Sequence, residues 1–138
     1  MSIISDCKLI ELPRVNDVRG SLSFIESNTH IPFNIARIYY LYSVPDTKVR
    51  GAHAHKQLQQ LIIPISGSFD IQVDDGVSKT KFHLNRPNQG LYICPMIWRD
   101  LSNFTADAVC LVLASEKYDE SDYIRDYADF RNLRSQIL

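Results

Sequence analysis

From Ser21 to Ser115 the apolar residues fall in short runs: "SLSFIES", "ARIYYLYSV", "LQQLIIPI", "SFDIQV", "TKFHL", "GLYICP" and "CLVLAS". The runs have strand lengths, are rich in β-branched and aromatic residues, and are separated by Pro, Gly, Asn and Asp. The Asp-Gly pair in "VDDGVSK" predicts a tight hairpin between two of them, and "PNQG" a further turn. About eight to ten strands with no helical pattern between them predict a closed all-β sandwich or barrel, for which a jelly roll is the best match, because closure removes exposed edges. Only the tail "DESDYIRDYADFRNLRSQIL" changes period. Tyr123, Ile124, Tyr127 and Phe130 lie there at helical spacing behind acidic residues that suit a helix start, which predicts a short C-terminal helix docking an aromatic stripe on the barrel.

The chain has 138 residues, a length that fits one domain spanning residues 1–138. With 45% hydrophobic and 22% charged residues it has an ordinary globular composition. A net charge of -1 gives no broad attraction to nucleic acid or to an anionic membrane, so neither is expected as a partner. Cys7, Cys94 and Cys110 are an odd number without a CxxC pair, which points to packing roles in a reducing compartment. The N-terminus lacks a basic segment followed by a long apolar run, and the chain is read as cytoplasmic.

The chemistry concentrates in "RGAHAHKQLQQLIIPISG". His53 and His55 are two residues apart, so on a strand both point to one face, which in a barrel can be the interior. His-x-His, Gln60 and Gly67 follow the spacing of the first cupin motif, with glutamine in place of its glutamate. "GLYICPMIWRD" has the Gly, the Pro and the apolar filling of the second cupin motif, but Arg99 or Asp100 stands where that motif supplies a histidine. An amide is a weak metal ligand and an arginine is none, so no metal and no other cofactor is expected. Two imidazoles with an arginine opposite suit an anionic or carbonyl-bearing ligand, and an imidazole can both take and return a proton. In "ARIYYLYSV", alternation puts Arg37, Tyr39 and Leu41 on one face and Ile38, Tyr40 and Tyr42 on the other, so one tyrosine should face the cavity.

The phrases "RGSL", "IPFNIARIYYLY", "RGAHAHKQLQQ", "GLYICPMIW" and "LVLASEKYDESDYIRDY" together resemble the sugar 3,4-ketoisomerases that act on dTDP-4-keto-6-deoxyglucose. The resemblance spans nearly the whole chain. It implies a metal-free cupin enzyme, a homodimer with strand exchange, serving synthesis of 3-amino-3,6-dideoxyhexoses for bacterial surface glycans. By position in the motifs it makes His53 the proton shuttle and Tyr39 its hydrogen-bonding partner, with His55 lining the same pocket. Arg19 and Arg99 occupy positions that the family associates with the C-4 configuration of the product. They are a mixed pairing here, in which Arg19 leans toward the galacto product and Arg99 toward the gluco. Both are expected to reach the cavity, and Arg37, Arg50 and Lys56 are candidates for holding the pyrophosphate. Two alternatives stay open: a cupin sugar-nucleotide 3,5-epimerase, and a non-catalytic cupin that binds sugar nucleotides.

Overall fold

Residues 3–137 are described in this computed structural model. The strands are β1 (Lys8–Glu11), β2 (Arg14–Asp17), β3 (Gly20–Ser23), β4 (Arg37–Tyr42), β5 (Arg50–His55), β6 (Gln60–Ser66), β7 (Phe69–Asp74), β8 (Lys79–Leu84), β9 (Gln89–Ile93), β10 (Trp98–Ser102), β11 (Val109–Ala114) and β12 (Tyr123–Ile124). One α-helix, α1 (Tyr127–Ile137), follows them. One sheet has the order β1-β9-β6-β11-β4, a second the order β12-β5-β10-β7-β8, and β2 pairs with β3 alone. The main core lies between the two five-stranded sheets, where Ile62, Leu91 and Val112 meet Ile71, Val73 and Leu101. The jelly roll and the hairpin at Asp75–Ser78 match what the sequence predicts, the hairpin closing through a bond from Asp75 N to Ser78 O.

Two expectations need correction. "SLSFIES" forms a strand only as far as Ser23. Beyond it, Ile31 and Phe33 pack with Leu61, Ile63 and Leu113 on the outer face of the first sheet, so that sheet is buried on both sides. The aromatic stripe of the tail is also not all helical. Tyr123 and Ile124 pair with His55 and Ala54 as an edge strand, and the helix begins only at Tyr127. The free edge of β5 supplies backbone partners there that a longer helix would forgo. From Tyr127 onward the docking is as expected: Tyr127 and Phe130 pack on Trp98, with ring centroids at 5.3 and 5.7 Å.

A bulge in β5 sets the direction of the histidine pair. Arg99 stands opposite His53, while the next residue, Asp100, stands opposite Gly51, so Ala52 is left without a partner in the ladder. Gly51 at φ +85° and Ala52 at φ +54° make the bulge. A side chain on Gly51 would come within 3.1 Å of the Arg99 carbonyl as well as strain the backbone. The extra residue re-aims β5 so that His53 faces Arg99 across the strand pair.

Candidate active site

Strands β4, β5, β6, β10 and β12 surround a cavity of about 430 Å3. Tyr39, His53, Gln60 and Arg99 form its floor, and Arg37, Arg50, Tyr123 and Arg125 stand around it. Alternation along β4 is as predicted: Arg37, Tyr39 and Leu41 face inward, while Ile38, Tyr40 and Tyr42 are exposed.

The polar groups of the floor form two chains. In the first, His53 Nε2 lies 3.1 Å from His55 Nε2, and His55 Nδ1 lies 3.2 Å from a carboxylate oxygen of Asp122. His53 Nδ1 lies 3.0 Å from the Gly51 carbonyl oxygen. His55 is fully buried behind His53 and does not itself line the cavity. In the second chain an Arg99 N–H donates to Gln60 Oε1, and Gln60 Nε2 donates to the Tyr39 hydroxyl oxygen at 3.0 Å. Arg99 also donates to the Ile97 carbonyl at 2.9 Å. Because Arg99 can only donate, it fixes the orientation of the Gln60 amide, and the amide in turn makes the Tyr39 oxygen an acceptor. The phenol hydrogen is left to point elsewhere.

Burial and the charge of Arg99 push His53 down to about 4 and His55 to about 2. Burial raises Tyr39 above its ordinary value. At neutral pH the floor therefore holds neutral imidazoles and an intact phenol, a proton acceptor beside a proton donor. A lowered histidine has a consequence for stability. The unfolded chain binds a proton at His53 near pH 6.5, whereas the folded chain does so only near 4, so stability falls as pH drops through that window, by on the order of 3 kcal/mol from this group. The acid limb of kcat/KM is expected to lie near pH 4. A pH profile with its acid limb at 6.5 would mean that His53 is not the titrating base.

The structure does not bring all the predicted residues together. Arg19 sits on the exposed β2–β3 turn, its guanidinium 2.6 Å from Asp17 and 87% exposed. Within one chain Arg19 does not reach the cavity that Arg99 lines, because the β2–β3 hairpin pairs only with itself. Lys56 lies beyond the cavity wall, with Ile124 and Leu133, because its neighbour His55 is the last residue of β5. Sequence reasoning missed Asp122, Tyr123 and Arg125. Asp122 is 7% exposed and also accepts from Gln57 N at 2.8 Å and Leu58 N at 3.3 Å. Arg125 lies 4.2 Å over the Tyr123 ring, and that ring covers both histidines at centroid distances of 5.0 and 4.3 Å. The only signal for these three was the distinctive phrase "YDESDYIRDY".

Among the described residues no group of three or more His, Cys, Asp or Glu side chains is placed to hold a metal ion. Where a cupin would complete a metal site, Gln60 and Arg99 are bonded to each other.

A jelly roll that presents a His-x-His strand to a cavity in its mouth is a cupin. Within that class the chain belongs to the FdtA family, described as WxcM-like, C-terminal, whose model matches residues 5–135. It is 42% identical over 130 residues, 94% of each chain, to the TDP-4-oxo-6-deoxy-alpha-D-glucose-3,4-oxoisomerase of Aneurinibacillus thermoaerophilus. Its fold is similar to that of the WlaRB TDP-quinovose 3,4-ketoisomerase from Campylobacter jejuni, at TM-score 0.90 and 46% identity, covering 94% of this chain and 99% of that one. It is also similar to the sugar 3,4-ketoisomerase QdtA from Thermoanaerobacterium thermosaccharolyticum in complex with TDP, at TM-score 0.95 and 39% identity, covering 99% of each.

Proposed function

We propose that this chain is a sugar-nucleotide 3,4-ketoisomerase that converts dTDP-4-keto-6-deoxy-D-glucose to a dTDP-3-keto-6-deoxyhexose. The reading is carried by one observation, His53 and a Tyr39 held by the Arg99–Gln60 pair, both facing one cavity. The hydrogen on C-3 of the substrate lies beside the C-4 ketone. His53 removes it to give an enediolate across C-3 and C-4, and the Tyr39 hydroxyl donates to the C-4 oxygen as charge gathers there. Return of a proton to C-4, with the O-3 hydroxyl proton redistributed between the oxygens, leaves a ketone at C-3 and a hydroxyl at C-4. Hydrogen is only moved within the sugar, so the exchange needs no external oxidant.

Arg37 supports binding of the diphosphate. Its guanidinium lies 5.1 Å from the Tyr39 ring and 5.5 Å from the Tyr118 ring, and its buried Nε and Nη2 make no hydrogen bond. A half-buried guanidinium at the cavity wall with unused donors suits phosphate oxygens. Arg50 adds charge at the same rim, whereas Arg125 there is paired with Glu120 at 2.6 Å. Chelation is expected to leave turnover unchanged, since the Gln60–Arg99 pair stands where metal ligands would have to be; loss of activity with rescue by one added metal ion would refute this.

The enzyme works as a homodimer with strand exchange. Exposed Val15, Val18 and Leu22 on the β2–β3 hairpin, and Ile38, Tyr40 and Tyr42 on the edge strand β4, are apolar surface that such an exchange would cover. It would also carry Arg19 to a partner's cavity, and the galacto configuration follows from that delivery. Arg19→Tyr is then expected to move the product toward gluco, and Arg99→His to keep it galacto. An unchanged product ratio in both variants would assign stereocontrol elsewhere. The reaction itself is tested by incubating the protein with dTDP-4-keto-6-deoxyglucose, trapping the product with a 3-aminotransferase and reading its C-3 and C-4 by NMR. A product that keeps its ketone at C-4 but is inverted at C-3 or C-5 would make the chain an epimerase. Tight binding without turnover would make it a binding protein.

A further inference from the structure

We propose that Asp122 is a positioning residue that sets the tautomer of His55, and that the proton taken from C-3 is held between the Nε2 atoms of His53 and His55. This rests on the ketoisomerase reading. The hydrogens along the first chain of the floor can be counted one contact at a time. An ionised carboxylate only accepts, so the 3.2 Å contact from Asp122 places the His55 hydrogen on Nδ1. A peptide carbonyl also only accepts, so the 3.0 Å contact with the Gly51 oxygen places the His53 hydrogen on Nδ1. In the neutral pair two bare Nε2 atoms therefore lie 3.1 Å apart, with the ring planes at 87°, a hydrogen-bond distance with no hydrogen in it. One added proton satisfies every contact in the chain.

That missing proton is the one the reaction supplies. As the C-3–H bond breaks, its electron pair passes into the enediolate and its proton goes to His53 Nε2. The His53 ring presents its Nε2 lone pair to the cavity to take this proton and turns back so that the new N–H donates to His55 Nε2, and the carboxylate of Asp122 faces the positive charge that has formed. When C-4 is reprotonated the proton returns along the same path, and the pair is neutral again. His55 is fully buried and reaches the cavity only through His53, so the held proton is shielded from solvent.

The surroundings of Asp122 make Asp122→Asn informative. Its Oδ1 accepts from Gln57 N at 2.8 Å, and its Oδ2 from Leu58 N at 3.3 Å and from His55. An asparagine would keep its oxygen on the shorter Gln57 contact and turn its NH2 toward His55. That donor would drive the His55 hydrogen from Nδ1 to Nε2, where it would bond to the lone pair His53 needs.

The test uses the whole protein with 15N-labelled histidine. In free wild type, both rings are expected to carry hydrogen on Nδ1 and none on Nε2, and deuterium placed at C-3 of the substrate is expected to appear in part at C-4 of the product. Asp122→Asn should move the His55 hydrogen to Nε2, lower kcat by about tenfold to a hundredfold as loss of an orienting partner does, and leave KM little changed. Its effect should vanish in a His55→Asn background. The proposal is overturned if wild-type His55 carries its hydrogen on Nε2, a result that does not depend on the variant folding. It is equally overturned if Asp122→Asn keeps the wild-type tautomer, multiplies with His55→Asn, or if wild type loses all label to solvent. An Asp122 that only anchors the turn at residues 57 and 58 would lower Tm and leave tautomer and label transfer unchanged. If wild type has no ketoisomerase activity, the functional reading fails, while the tautomers still decide the assignment of Asp122.

Discussion

His53→Asn is expected to lower kcat by roughly a hundredfold to ten-thousandfold, the range for loss of a general base, with the fold intact. Asparagine has no lone pair that can take the C-3 proton at neutral pH. Its amide can still donate to the Gly51 carbonyl, and the position lines a cavity rather than filling the core, so neither a stranded polar group nor a void is created. His55→Asn should cost less, because that ring meets the substrate only through His53, although it breaks the contact with Asp122. NMR of turnover with circular dichroism of both variants measures this. Small, equal losses at the two positions would show that neither imidazole carries the proton.

Much of this site is written in local periodicity. Two histidines two residues apart on a strand must share a face, and the same rule separates Tyr39 from Tyr40. Those assignments hold because period-2 patterns are decided within a few residues. The parts that escape are decided at long range. Asp122 lies 67 residues beyond His55 in the chain, and nothing near it marks it as more than an acid ahead of a helix. Tyr123 and Ile124 fit a helical stripe as well as a strand, and only the open edge of β5 settles which they form. The sequence does not tell whether the hairpin bearing Arg19 folds back on its own barrel or away from it, and within one chain it leaves Arg19 outside the cavity. The bulge at Ala52, which sets His53 against Arg99, likewise depends on a register shared with β10.

Gln60 shows how a residue can be recognised correctly and still be understood only in part. From the sequence it is a replaced metal ligand; in the structure it is a fixed amide that takes a hydrogen bond from Arg99 and gives one to Tyr39. Gln60→Glu separates these roles. The carboxylate would pair with Arg99, so the buried position stays satisfied and the fold is expected to survive. Its second oxygen has no hydrogen to give, so the Tyr39 hydroxyl would turn to donate to it and its proton would no longer face the sugar. Loss of that donor is expected to lower kcat on the order of a hundredfold, as for removal of one group that stabilises an oxyanion. The new negative charge would also offset Arg99, one of the causes that hold His53 down to about 4, and the acid limb of kcat/KM should move up toward the ordinary histidine value. Tyr39→Phe should reproduce the loss in kcat without that pH shift, and the double variant should be no slower than Tyr39→Phe alone. Wild-type turnover in Gln60→Glu would mean that the orientation of the Tyr39 hydroxyl is not set by Gln60, and the second chain of the floor would then have no part in the reaction.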